Sequence, residues 1–143
     1  MTRIDFYLLA QAGESTRDRF ACRLAEKAYR LRHSVHIQAA DRPRAAELDE
    51  LLWTFRDGSF VPHELIDSSD APVEAPVTIG CTDAGLRPAD LLINLTDALP
   101  PALDSFPRVA EIVTSDEDRK QRSRTLFAEY RSRGHTLEVH ELP

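Results

Sequence analysis

The sequence predicts one α/β domain of three layers, a central sheet with helices packed on both faces. Three observations carry this reading. Apolar, β-rich runs alternate along the chain with runs of helical periodicity. The 143 residues are enough for one proper core. The run Leu91-Leu92-Ile93-Asn94-Leu95 is almost unbroken in its apolar character, as a strand covered on both faces requires.

In chain order, Ile4 to Leu9 predicts a first strand. Gly13 marks a loop, and Ser15-Thr16-Arg17-Asp18 has the form of a capping box, with a hydroxyl at the cap and an acid three residues on. A helix is therefore expected over 16–31, its inner face built from Phe20, Leu24 and Ala28 with Ala21 and Ala25 beside them. Val35-His36-Ile37 predicts the second strand. Asp41 can cap the next helix, with Pro43 tolerated in its first turn and Leu48, Leu51 and Leu52 facing inward. From Phe55 to Pro76, Gly58, Pro62, Pro72 and Pro76 predict a long ordered loop that turns flexible near 67–72, where Asp67-Ser68-Ser69-Asp70 is polar. Val77-Thr78-Ile79, Leu91 to Leu95 and Val109 to Val113 predict further strands, with Pro100 and Pro101 breaking the chain between the last two. Asp116, Glu117 and Asp118 put acids at the start of a final helix, where the dipole favours them. That helix is expected to run to about Arg133, with Gly134 as its stop signal and Thr136 to His140 as the closing strand. There is no internal repeat, so residues 1–143 are read as a single domain.

Composition narrows the class. Hydrophobic residues at 42% and charged residues at 29% are ordinary for a soluble globular chain. No apolar run approaches the roughly 20 residues of a membrane helix, so no membrane association is expected. The opening MTRIDFYLL lacks the pattern of a signal peptide. Cys22 and Cys81 are too few for a disulfide framework and read as reduced core residues, which points to the cytoplasm. The net charge of -6 repels nucleic acid from the chain as a whole. Yet 119–133 hold six of the 18 basic side chains, Arg119, Lys120, Arg122, Arg124, Arg131 and Arg133, opposed only by Glu129. A basic patch on an acidic protein implies a specific anionic partner.

The residues carry no predicted catalytic site and call for no cofactor. All five glycines are isolated, so neither GxGxxG nor a P-loop is present, and the Rossmann-like shape comes without a nucleotide-binding fingerprint. His33, His36, His63, His135 and His140 form no metal-ligand spacing. His63, after Pro62, reads as a structural ring bonded to local backbone. Cys22 has no evident base, and Asp49 and Glu50 diverge on a helix surface.

Two constellations read as interaction surfaces. Trp53, Phe55 and Phe60, in Leu51-Leu52-Trp53-Thr54-Phe55 and Ser59-Phe60-Val61-Pro62-His63, are hard to bury fully in a small domain. They form a satellite core under the loop, an exposed patch for a partner chain, or both in one site. On the last helix Lys120, Arg124, Phe127 and Arg131 share one face, while Leu126 and Tyr130 can face the core. That stripe is either a solvated basic face or, with Val113, a site for an acidic peptide with an apolar end.

Taken together, Phe6-Tyr7-Leu8-Leu9, the helix Ala21-Cys22-Arg23-Leu24-Ala25-Glu26-Lys27-Ala28-Tyr29, the block Leu48-Asp49-Glu50-Leu51-Leu52-Trp53-Thr54-Phe55 with Ser59-Phe60-Val61-Pro62-His63, Leu92-Ile93-Asn94-Leu95, Phe106 to Val113 and Tyr130 to Gly134 resemble the chi subunit family of bacterial DNA polymerase III. The resemblance covers essentially the whole chain, and the tryptophan-containing block is its most specific part. It implies a non-catalytic accessory subunit of the replicative polymerase's clamp-loader assembly. Such a subunit pairs with the psi subunit and binds the acidic, apolar-ended C-terminal tail of single-stranded-DNA-binding protein, so that contact with single-stranded DNA is indirect. By position, the resemblance assigns the tail site to Val113, Lys120, Arg124, Phe127 and Arg131, and the psi interface to Trp53, Phe55, Phe60 and Val61. The family pattern has a tyrosine where this chain has Phe127, which keeps the ring and loses a hydroxyl. The alternative is a nucleotide-binding protein or enzyme on the same fold; direct DNA binding through the basic helix is weaker still.

Overall fold

The computed structural model describes residues 2–66, 74–83 and 86–142. The polar run 67–70, read as part of a flexible stretch, lies outside them. Seven strands form one sheet: β1 (Arg3–Leu9), β2 (Val35–Gln38), β3 (His63–Leu65), β4 (Val77–Gly80), β5 (Leu91–Asn94), β6 (Arg108–Val113) and β7 (Thr136–Leu142). Their order is β3-β4-β2-β5-β6-β1-β7, and every adjacent pair is parallel. The helices α1 (Glu14–Arg30), α2 (Arg42–Thr54) and α3 (Glu117–Ser132) supply the connections from β1 to β2, β2 to β3 and β6 to β7. This is the α/β Rossmann-like architecture that the alternation of elements predicts.

Strand alternation sorts the apolar residues into two cores. On one face Ala21, Cys22 and Ala25 of α1 and Leu48 and Leu52 of α2 pack on Ile37, Ile79, Ile93 and Ile112. On the other, Leu126 and Tyr130 of α3 pack on Ile4, Phe6, Leu92, Val109 and Val113. Both faces of the central strands are covered, which is why Leu91 to Ile93 are apolar without interruption.

Local chemistry sets most element ends. Asp41 caps α2 by accepting the Arg44 backbone N–H at 2.9 Å, and Pro43 sits in the first turn. Gly134, at φ +82°, takes the left-handed conformation that ends α3. Two expectations need correction. The capping box at Ser15 does not form: α1 begins at Glu14 with Gly13 as its cap, at φ +104°. Gly13 donates its N–H to Asp116 Oδ2 at 3.1 Å, so a contact with the start of α3 helps position this helix start. The second correction concerns the long loop after Phe55, which contains the three-residue strand β3, paired to β4 at the sheet edge. A strand so short has no periodicity to read; its partner makes it.

The interior holds charge as well as hydrocarbon. Glu111 of β6 is buried, and its Oε2 accepts from Asn94 Nδ2 at 2.7 Å and from the Tyr130 hydroxyl. Burial disfavours its charge and lifts its carboxyl to about 7 against the pull of these hydrogen bonds. His36 is also buried, its Nε2–H donating to Gln38 Oε1 at 2.8 Å and its Nδ1 accepting from the Thr78 hydroxyl at 2.7 Å. Burial lowers its pKa to about 4 and keeps the ring neutral.

Glu111 binds its proton more tightly in the folded chain than in the unfolded one. Its contribution to stability is therefore complete below the unfolded carboxyl's pKa and lost as pH rises through about 7. Glu111→Gln keeps an acceptor and removes the charge. Chemical denaturation should show the variant gaining about 1–3 kcal/mol over the parent at pH 8 relative to pH 5; an identical difference at the two pH values would mean that Glu111 does not titrate in this way.

Candidate functional site

Between α3 and the strands β1, β6 and β7 a pocket of about 320 Å³ opens. Val113, Lys120, Arg124 and Phe127 all line it. The apolar end of β6 and the face of α3 predicted to oppose it therefore do meet. Phe127 is half-buried and meets Phe6 edge to face, with centroids 5.2 Å apart. Lys120 has one loose contact, 3.9 Å from Glu117, and Arg124 has no ion-pair partner among the described residues. The result is an apolar floor with two cations, Lys120 and Arg124, at its rim.

Arg131 does not line the pocket. It shares the helix face but lies four residues beyond Phe127, about 6 Å further along the axis, where it is exposed. Sequence reasoning also missed half of the floor. Phe6, Leu8 and Leu9 of β1 and Val139 of β7 add to the lining, with Thr114 and Ser123 as its polar members. Leu8 pairs with Val113 and Phe6 with Val139 across the sheet. Alternation along β1 puts Phe6 and Leu8 on one face, but only the strand order places that face under α3.

At the other end of the sheet, Trp53 and Phe60 are 50% and 64% exposed, with ring centroids 5.7 Å apart. These two rings are exposed together as a surface patch. Phe55 is half-buried against the α1–α2 core. Val61, assigned with them, is 0% exposed and belongs to that core, packed among the side chains of the α1–α2 cluster just before β3 begins. The patch is held firmly. The His63 ring sits 4.6 Å from Trp53, and its nitrogens face the Val61 carbonyl at 2.6 Å and the Asp49 carbonyl at 3.0 Å. Glu26 of α1 accepts from Arg56 at 2.6 Å and from the Ser59 hydroxyl, anchoring the turn between the two aromatics.

Ligands of open parallel sheets lie at the carboxyl ends of the strands. Here the buried Arg17 fills that place, donating Nε to the Ile112 carbonyl at 3.1 Å and Nη1 to the Leu95 carbonyl at 3.2 Å. Burial lowers its pKa, as does the neighbouring Arg119 cation. Around it Asp97 pairs with Arg119 at 2.6 Å and Asp18 with Arg44 at 2.5 Å. The sequence places Arg17 and Asp18 in a capping box and Arg119 in a basic stretch; that they join Asp97 and Arg44 in one ionic cluster depends on the fold, because the members are scattered along the chain.

The family model described as "DNA polymerase III chi subunit, HolC" matches residues 1–138. The chain belongs to that family. It is 43% identical over 143 residues to the DNA polymerase III subunit chi of Pseudomonas aeruginosa, covering 100% of this chain and 99% of that protein. The subunits chi of Haemophilus influenzae and Escherichia coli are 32% and 31% identical, with 92% and 96% of both chains covered in turn. Membership of the chi family ties the chain to DNA replication. Among its described residues no helix is long and apolar enough to cross a membrane.

The two surface aromatics and the valine beneath them should separate on substitution. Trp53→Ser and Phe60→Ser are expected to change unfolding stability by less than about 1 kcal/mol, whereas Val61→Ala should cost about 1–3 kcal/mol through the cavity it leaves. Thermal and urea melts of the three variants measure this; equal losses would contradict the assignment of Val61 to the core.

Proposed function

We propose that this chain is a non-catalytic adaptor subunit of DNA polymerase III. In this reading its α3 pocket holds the acidic C-terminal tail of single-stranded-DNA-binding protein, and its Trp53–Phe60 face holds the psi subunit. One observation carries the tail assignment: Val113 and Phe127 floor a pocket rimmed by Lys120 and by Arg124, which has no ion-pair partner among the described residues. The apolar end of the tail packs on Val113, Phe6 and Leu8, and its carboxylates pair with Lys120 and Arg124. Arg131, further along the same helix face, meets carboxylates that precede the end. The absence of a hydroxyl on Phe127 leaves that contact one of packing.

Psi binding rests on the exposed aromatic pair, with Phe55 at its margin and Val61 supporting it from below. The chain then joins two proteins, and it meets single-stranded DNA through the protein that coats it. Nucleotidyl transfer, which needs metal-binding carboxylates in a large active site, belongs in this reading to other subunits, and the working compartment is the cytoplasm.

The test is fluorescence anisotropy with a labelled peptide copied from the tail of the same organism's single-stranded-DNA-binding protein. Arg124→Glu should weaken binding by about 1–3 kcal/mol, Phe127→Ala should weaken it as well, and added salt should reduce what remains. Unchanged affinity in Arg124→Glu would remove that residue from the site. Trp53→Ser should leave the peptide affinity alone and reduce co-purification with co-expressed psi; retained psi would move the interface elsewhere.

A further inference from the structure

β7 ends the sheet, and α3 packs against it on one face only. On the opposite face a groove of about 390 Å³ opens between α1 and the β1–β7 pair. Its floor is apolar, built from Tyr7, Leu9, Phe20, Leu24 and Leu142, with Leu9 at the strand end also bordering the α3 pocket. Its rim carries Arg23 and Lys27, exposed and four residues apart on α1, so that both point along one side of the helix. Neither has an ion-pair partner among the described residues. Arg23 lies 5.7 Å from the centre of the Phe20 ring, which holds its charge at the groove. No carboxylate lines the groove among the described residues, although the chain has 24 acids against 18 bases.

We propose that this groove is a second docking site, distinct from the α3 pocket, for an acidic peptide segment with an apolar anchor. Charge complementarity selects the occupant. Two unneutralised cations above hydrocarbon attract carboxylates, and the floor rewards a buried apolar side chain next to them. A nucleic-acid strand fits less well. It needs a run of cations to follow its phosphates and free ring faces on which bases stack. Here the cations are two, and the Tyr7 ring is occupied, 5.3 Å from Phe20 and stacked at 5.0 Å on His140. The α3 pocket and this groove lie on opposite faces of the same two strands, so a partner with two acidic segments, or two partners with one each, could hold β7 from both sides.

The experiment is an amide ¹H–¹⁵N NMR titration at low salt with the synthetic peptide Glu-Asp-Asp-Leu-Phe. It uses the full chain, Arg124→Glu, and the double variant Arg23→Glu/Lys27→Glu, whose changes are at exposed positions. In Arg124→Glu the amides of Arg23, Leu24 and Leu142 should still shift saturably, with affinity within about twofold of the parent's. In the double variant that response should weaken by at least about tenfold, while Val113 and Phe127 respond as before. Failure of the α3 reading alone would leave Val113 and Phe127 silent and the α1 response intact. The second site is overturned by any of three results: no saturable shift at α1, a shift indifferent to the charge reversal, or displacement of the peptide by oligothymidylate. Sedimentation velocity on the protein alone adds a fourth, since a dimer lost in the double variant would make a second copy the occupant.

Discussion

Seven residues of β1 pair with β7 on one side, and six of them pair with β6 on the other, all in parallel register. That insertion of the first strand between the last two constrains everything at this end of the molecule. Parallel neighbours require crossovers, so α3 must leave β6, pass over β1 and return as β7 on its far side. The passage lays α3 across Phe6 and Leu8 and leaves a gap at its N-terminal half. Phe127 closes that gap on one side and Val139 on another. The same insertion puts Tyr7 on the opposite face, beside α1, where the second groove opens, and leaves Leu9 at the strand end bordering both.

Polar groups inside the sheet hold these layers in one arrangement. Asn94 of β5, Glu111 of β6 and Tyr130 of α3 share one hydrogen-bonded cluster, and Arg17 of α1 reaches the carbonyls of Leu95 and Ile112. Each links a helix to two central strands. Burying Glu111 and Arg17 costs free energy, which their hydrogen bonds only partly offset. What such groups add is register: Arg17 satisfies those two carbonyls only when α1 sits where it does.

The two proposed partner faces lie at opposite edges of the sheet. α2 and the segment leading into β3 carry the aromatic pair, and β1, β6, β7 and α3 carry the cationic pocket. Six strand spacings separate the edges, about 29 Å at 4.8 Å each. Partners at the two ends need not touch, so an adaptor on this fold can hold both at once. The aromatic end is braced by His63 and Glu26 and the pocket end by Phe6 and Leu126, and neither surface needs refolding to present itself.

Much of this was legible residue by residue. The three helices follow from apolar spacing, Asp41 and Gly134 mark ends through backbone chemistry that acts over a few residues, and the face shared by Lys120, Arg124 and Phe127 follows from 3.6 residues per turn. Whatever depends on periodicity or on a neighbouring side chain is written locally. What depends on contact between distant segments is not. The existence of β3, the burial of Val61, the start of α1 at Glu14, the exclusion of Arg131 from the pocket and the inclusion of Phe6, Leu8 and Val139 were all decided by how distant segments pack together. Strand order is set by pairing energies summed over the whole sheet and by the path of the crossovers, and no window of sequence contains either. The sequence by itself determined the elements and the chemical character of their faces; the tertiary structure alone decided which faces meet, because a pocket is made of residues that are neighbours only after the sheet has closed around β1.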